Sequence, residues 1–255
     1  MPGPPAMPLF QSTLPSDAAA LMRLSEFQRH HGEPPSATET RAGSTRLASL
    51  NPSLLQDLLR FEHHHAAEEG LDVLEVLAAA LRHGRALRVH LQLGYRVVPI
   101  VVWPAERQLR SPLSLARLLE LRLPDLQVLR VEPAPLRAAA QAGADAADPA
   151  PARYVLPLGP LLWELALRGS REALLPEIAG VATYRVVPGT DLRALDLAGS
   201  LGAAVERLSR ETAALGEIAH WPGFDRERAM RMLNGLYLHS ALMISRSHPA
   251  AIHDR

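Results

Sequence analysis

The clearest pattern in the chain is the strict alternation of apolar and polar residues from Leu87 to Leu93, which predicts a half-buried strand. Gly94 turns the backbone. Tyr95 to Trp103 follows with Val97, Val98, Ile100, Val101 and Val102, so this second strand is apolar on both faces and should be central. Pro99 cannot donate to a ladder, which predicts a bulge or an unpaired edge at that point. Leu126 to Val131 reads as a third strand, closed by Glu132-Pro133. A helix from Pro112 to Arg122 precedes it. That order lets the third strand lie parallel to its neighbour through a helical crossover, giving a small mixed sheet.

Helical spacing fills the rest. A pattern from Ser16 to His31 carries Leu21, Leu24 and Phe27 and ends at Gly32. Asn51-Pro52 opens a helix with Leu54, Leu55, Leu58 and Leu59, and another runs from about Leu71 to His83 with Gly84 as its stop. After residue 152, Leu158, Leu161, Leu162 and Leu165 form one stripe that stops at Gly169. Ser170 caps an expected helix holding Ala173, Leu174 and Ile178. Thr183 to Val187 reads as a short strand. Helices follow from Ser200, from Thr212, and from the cap at Asp225, the last with Ala229, Met232, Leu233, Leu236 and Tyr237 on one face. Ala241 to Ile244 can close as a strand.

These elements define an α/β protein of the α+β kind: a small mixed sheet packed with helices, then a mostly helical C-terminal part. The expected division is 1–49 as tail, one helix and linker, 50–136 as the α/β domain, 137–152 as an Ala-rich linker, and 153–247 as the helical domain. A frayed helix in a long loop is the other reading of 137–152.

Composition narrows the chemistry. The 27 cations balance 27 carboxylates, so no basic field covers the whole chain and general nucleic-acid or membrane binding has no support in bulk charge. Every cation is Arg, which fits codon bias in a GC-rich bacterial genome and excludes Schiff-base and P-loop lysines. Cys is absent too, removing disulfides, thiol nucleophiles and Cys-ligated zinc. That fits a reducing, cytoplasmic setting. The first 16 residues have neither a basic region nor a long apolar run, and so do not read as a secretory signal. No stretch is long and apolar enough for a membrane span.

Residues 200–245 resemble a winged-helix domain: a helix, a short helix with Leu215, Ile218 and Ala219, a Pro222-Gly223 turn, a longer helix and an apolar strand. The resemblance implies that Asp225 to His239 holds the recognition-helix position. Arg226, Arg228, Arg231 and Asn234 would then contact DNA or a partner protein. Asp225 and Glu227 interleave with them and repel phosphate, and a solvated face of alternating charge is the structural alternative.

The histidines offer less. His63-His64-His65 lie beside Glu62 and Glu68, but adjacent helical residues point about 100° apart, so at most His64 and Glu68 share a side. No HExxH motif or second ligand set completes a metal site. His30 and His31 stand at a helix end, His90 on the polar face of the first strand, and His220 and His239 beside the C-terminal helix. No G-x-S-x-G, G-x-G-x-x-G or P-loop motif occurs. Glu106, Asp125 and Glu132 lie beside strand ends, where only the fold can assemble a site. Trp103 and Trp221 are interface anchors or covers for a core edge. The expectation is therefore no catalytic, cofactor or metal residue, and a regulatory or adaptor protein with a protein partner. A DNA-binding regulator and an enzyme whose site forms only in the fold are the alternatives.

Overall fold

The computed structural model describes residues 21–31, 72–135, 154–193 and 195–246. The expected helix from Asn51, His63 to His65 and the linkers at 33–49 and 137–152 lie outside them.

The strand read from Leu87 is β1 (Leu87–Leu93), and its hairpin partner is β2 (Arg96–Trp103). Gly94, at φ 56°, makes the two-residue turn that only a residue tolerant of positive φ closes without strain. β3 (Gln108–Ser111), β4 (Gln127–Pro133) and β5 (Tyr154–Pro157) complete one sheet in the order β4-β1-β2-β3-β5. Every pairing is antiparallel. This corrects the mixed sheet. β4 does run in the same direction as β2, but the four-residue β3 occupies part of the edge of β2, and β4 pairs with β1 instead. Pro99 behaves as its missing N–H requires. Val97 N–H donates to Met22 on the outer edge of β2, and the period of two points position 99 to that same edge. There it falls between Met22 and the start of β3 pairing at Val101.

Leu87, Val89, Leu91 and Leu93 from β1 and Val98, Ile100 and Val102 from β2 face the main core. Helix α1 (Leu24–His31) lies on the opposite, outer face, and residues 21–23 are extended rather than helical because they pair with β2 through Arg23 and Arg96. α2 (Val73–His83) is capped by Asp72, whose carboxylate accepts from Leu74 N–H, and stopped by Gly84 at φ 60°. α3 (Leu115–Glu120) and a 3-10 turn at Leu123–Asp125 lead into β4.

Beyond residue 153 come α4 (Leu158–Arg168), β6 (Thr183–Val186), α5 (Ser200–Arg210), β7 (Ala213–Ala214), α6 (Leu215–Ile218), α7 (Arg226–Leu238) and β8 (Leu242–Ser245). β7, β6 and β8 form a three-stranded antiparallel sheet with β6 in the middle. The α+β class stands. Burial does not divide at the expected linker: side chains from Leu21 to Ala241, Leu77, Ile100, Trp163 and Met232 among them, form one large cluster. β5 lies beyond the expected linker yet pairs with β3, so the division at 137–152 does not separate the sheets or the cores.

The helix expected from Ser170 is replaced by turns. Its backbone groups bond to side chains instead. Asn234 accepts from Leu175 N–H and donates to Ala173 O, while Arg171 donates to the carbonyls of Ala173 and Leu174. Pro176 also has no N–H to give a helix.

Candidate functional site

An open groove of about 610 Å³ lies where α4 ends and α7 begins. The sequence builds it from two helix ends. α4 stops at Gly169, whose N–H donates to Leu165 O. A Cβ at Gly169 would stand 2.3 Å from that oxygen, so only glycine makes the exit. α7 starts at Asp225, whose carboxylate accepts from Arg228 N–H at 2.7 Å. Arg168, Arg228, Arg231, Glu172, Asp225 and Glu227 supply the charge of the lining.

The four residues of the expected contact helix separate here. Arg226 and Arg228 are exposed. Arg228 lies over the Phe224 ring, 5.4 Å from its centroid, which steadies the guanidinium while leaving it in solvent. Arg231 faces the groove but is structural. Its Nε donates to Glu227 at 2.7 Å and its Nη1 to Gly169 O at 2.8 Å, tying α7 to the end of α4. Asn234 is no surface contact. It is fully buried and holds the 170–175 segment as described. Replacing it by Ala strands the buried Leu175 N–H, and a loss of about 1–3 kcal/mol is expected in urea unfolding. An unchanged midpoint would show that water replaces the amide.

The two tryptophans, read as interface anchors or covers for a core edge, are both buried. Trp103 is buried and donates from Nε1 to Pro135 O at 3.1 Å. Trp221 is buried beneath Arg207, whose guanidinium stands 4.5 Å from the ring centroid. Large rings at element ends bury area first, and both find polar partners within their own fold.

Other titratable groups are dispersed. Glu106 is exposed in the β2–β3 turn, Asp125 pairs with Arg122, and Glu132 pairs with Arg130. His220 and His239 each place Nδ1 within hydrogen-bond distance of the carbonyl four residues earlier, Gly216 and Gly235. Burial lowers the pKa of His239, which also packs edge-on to Trp163. No group of three His, Asp or Glu among the described residues can hold a metal ion.

Sequence reasoning missed a pairing on the outer face of the first sheet. Phe27 and His31 of α1 lie on His90 of β1, with ring centroids 5.0 and 5.8 Å from it. His90 sits where the β1–β4 register shifts, and its buried Nδ1 has no partner. Loss of hydration pushes its pKa down to about 4, partly offset by Glu132. Alternation in β1 puts His90 on the outer face, but nothing local says that a helix covers it.

The chain matches no protein-family model, no curated protein and no solved structure. No helix among the described residues is long and apolar enough to cross a membrane.

Proposed function

We propose that this is a non-enzymatic regulatory or adaptor protein that binds another protein through the groove between α4 and α7. The observation that carries the reading is the sign of the lining. Arg168, Arg228 and Arg231 share the groove with Glu172, Asp225 and Glu227. A polypeptide with both signs of charge can match that pattern, while a uniformly negative nucleic-acid backbone meets three carboxylates. The groove is open, and its charged groups serve caps and helix ties rather than converging on one reacting atom. A cytoplasmic location goes with this reading, on the strength of the Cys-free composition.

The test is affinity capture with the whole chain, followed by a binding measurement on the captured partner. Arg226→Glu with Arg228→Glu is expected to weaken that complex about tenfold or more, since like charges then face each other. Both side chains are exposed, so unfolding should be unaffected. A partner held equally by the variant would remove the groove from the interface.

The order α5, β7, α6, α7, β8 keeps a DNA-binding reading in view as the second proposal, because it follows the winged-helix resemblance and leaves Arg226 and Arg228 free on the first turn of α7. Burial of Asn234 and Gly235, on a second face beside the apolar stripe, weighs against the rest of the helix entering a groove. Salt-sensitive retardation of genomic fragments, lost in the same double variant, would favour DNA over protein.

A further inference from the structure

The outer face of the five-stranded sheet carries a small apolar cluster of its own. Phe27 of α1, Val97 of β2 and Leu129 of β4 form it, with Met22 and Leu24 packed against them. Leu21, one residue earlier, belongs to the main core. The chain therefore passes the edge of β2 and lays α1 on the other side. Val97 N–H donates to Met22 O at 3.0 Å and Leu24 N–H to Tyr95 O at 2.9 Å along that edge. Arg96 Nη1 holds Leu21 O at 2.7 Å. The anchor and the helix thus rest in different clusters.

His90 is enclosed where α1 meets the sheet. Phe27 and His31 stack against it from α1, and His30 stands on the same helix. Arg88 lies beside it on β1, and β4 contributes Arg130 and Glu132. β2 faces it with Val97 and Pro99, which do not ionise. Of these groups only Glu132 favours a charged imidazole, and its carboxylate accepts a hydrogen bond from Arg130. The site is built for the neutral ring.

We propose that α1 is an arm that leaves the sheet when His90 and His31 are protonated, hinging at Arg23–Leu24 while Leu21 stays in the core. Release uncovers Val97 and Leu129 and frees the Tyr95 carbonyl that Leu24 N–H holds, while Met22 and Arg23 stay on the edge of β2.

The sign follows from desolvation. Both imidazoles have lowered pKa values when docked, and His90 moves from 6.5 to about 4. Protons therefore bind the two imidazoles more tightly when α1 is released. Docking is complete above pH 6.5 and weakens as pH falls toward the docked value. At pH 5 the His90 shift alone weakens docking about thirty-fold.

The chain has no Cys, so two introduced labels are unambiguous. Ser25→Cys on α1 and Gln127→Cys on β4, both exposed positions, carry spin labels for a distance measurement on the full chain. The expected result is a single narrow distance at pH 7.5 and a broad, longer distribution at pH 5, with tryptophan emission unchanged. His90→Phe preserves ring packing without titrating, and should keep the distance narrow at pH 5. His31→Gln should move release to lower pH. A narrow distribution in the parent at pH 5 would overturn the proposal. So would equal release in parent and His90→Phe, or a tryptophan shift that accompanies release and marks general unfolding.

Discussion

Replacing Arg171 by Ala is expected to cost about 3–5 kcal/mol, the loss typical when one partner of a buried ion pair is removed. The guanidinium is 7% exposed and reaches Glu75, which is 2% exposed, and Asp72 at the cap of α2. Its remaining N–H groups donate to Ala173 O and Leu174 O at 2.8 Å. One side chain therefore neutralises a buried carboxylate and also stands in for backbone bonds that a helix would have made. Truncation takes the guanidinium away from the buried Glu75 and the donor away from Leu174 O, while Ala173 O keeps the amide of Asn234. In thermal unfolding the midpoint should fall by about 10 °C or more. Glu75→Leu combined with Arg171→Met removes both charges at similar volume, and should recover most of that loss. A drop below about 1 kcal/mol for Arg171→Ala would mean that water reaches the pair, contrary to its burial.

The same residue shows why part of the fold was legible and part was not. β1 announced itself because its alternation reflects one buried face, and α4 and α7 because their apolar stripes recur at helical spacing. Those signals are local. The segment from Ser170 has an equally helical local pattern, yet Asn234, 59 residues away, holds its backbone in turns. β3 and β5 are four residues each and exist through their partners, so their own sequences carry little period. Missing β3 misplaced β4, and missing β5 made the Ala-rich stretch look like a boundary between cores. At the candidate site, the charge alternation of Asp225 to Arg228 was readable. Burial of Asn234 was not, because α7 has a second packed face that apolar spacing does not mark.

That second face depends on Gly235, and the other large effect is expected at the ring it admits. Trp163→Ala should destabilise by about 3–5 kcal/mol. The indole is 1% exposed, lies in the main core, and sends Nε1 toward Asp196 O at 3.3 Å. α4 and α7 approach closely here because Gly235 has no side chain. A Cβ added there would stand 2.6 Å from Trp163 Cε3, well inside contact distance. Gly235→Ala alone should therefore cost about 1–3 kcal/mol through overpacking, despite the better helix propensity of Ala. With Trp163 already Ala, the clash is gone and the propensity gain of about 1 kcal/mol remains. The second substitution should then be stabilising. Urea unfolding of the parent, both single variants and the double variant gives the coupling directly, and about 2 kcal/mol or more is expected. An equal effect of Gly235→Ala in both backgrounds would show that α7 shifts away from the ring at little cost, and that the indole does not set the approach of the two helices.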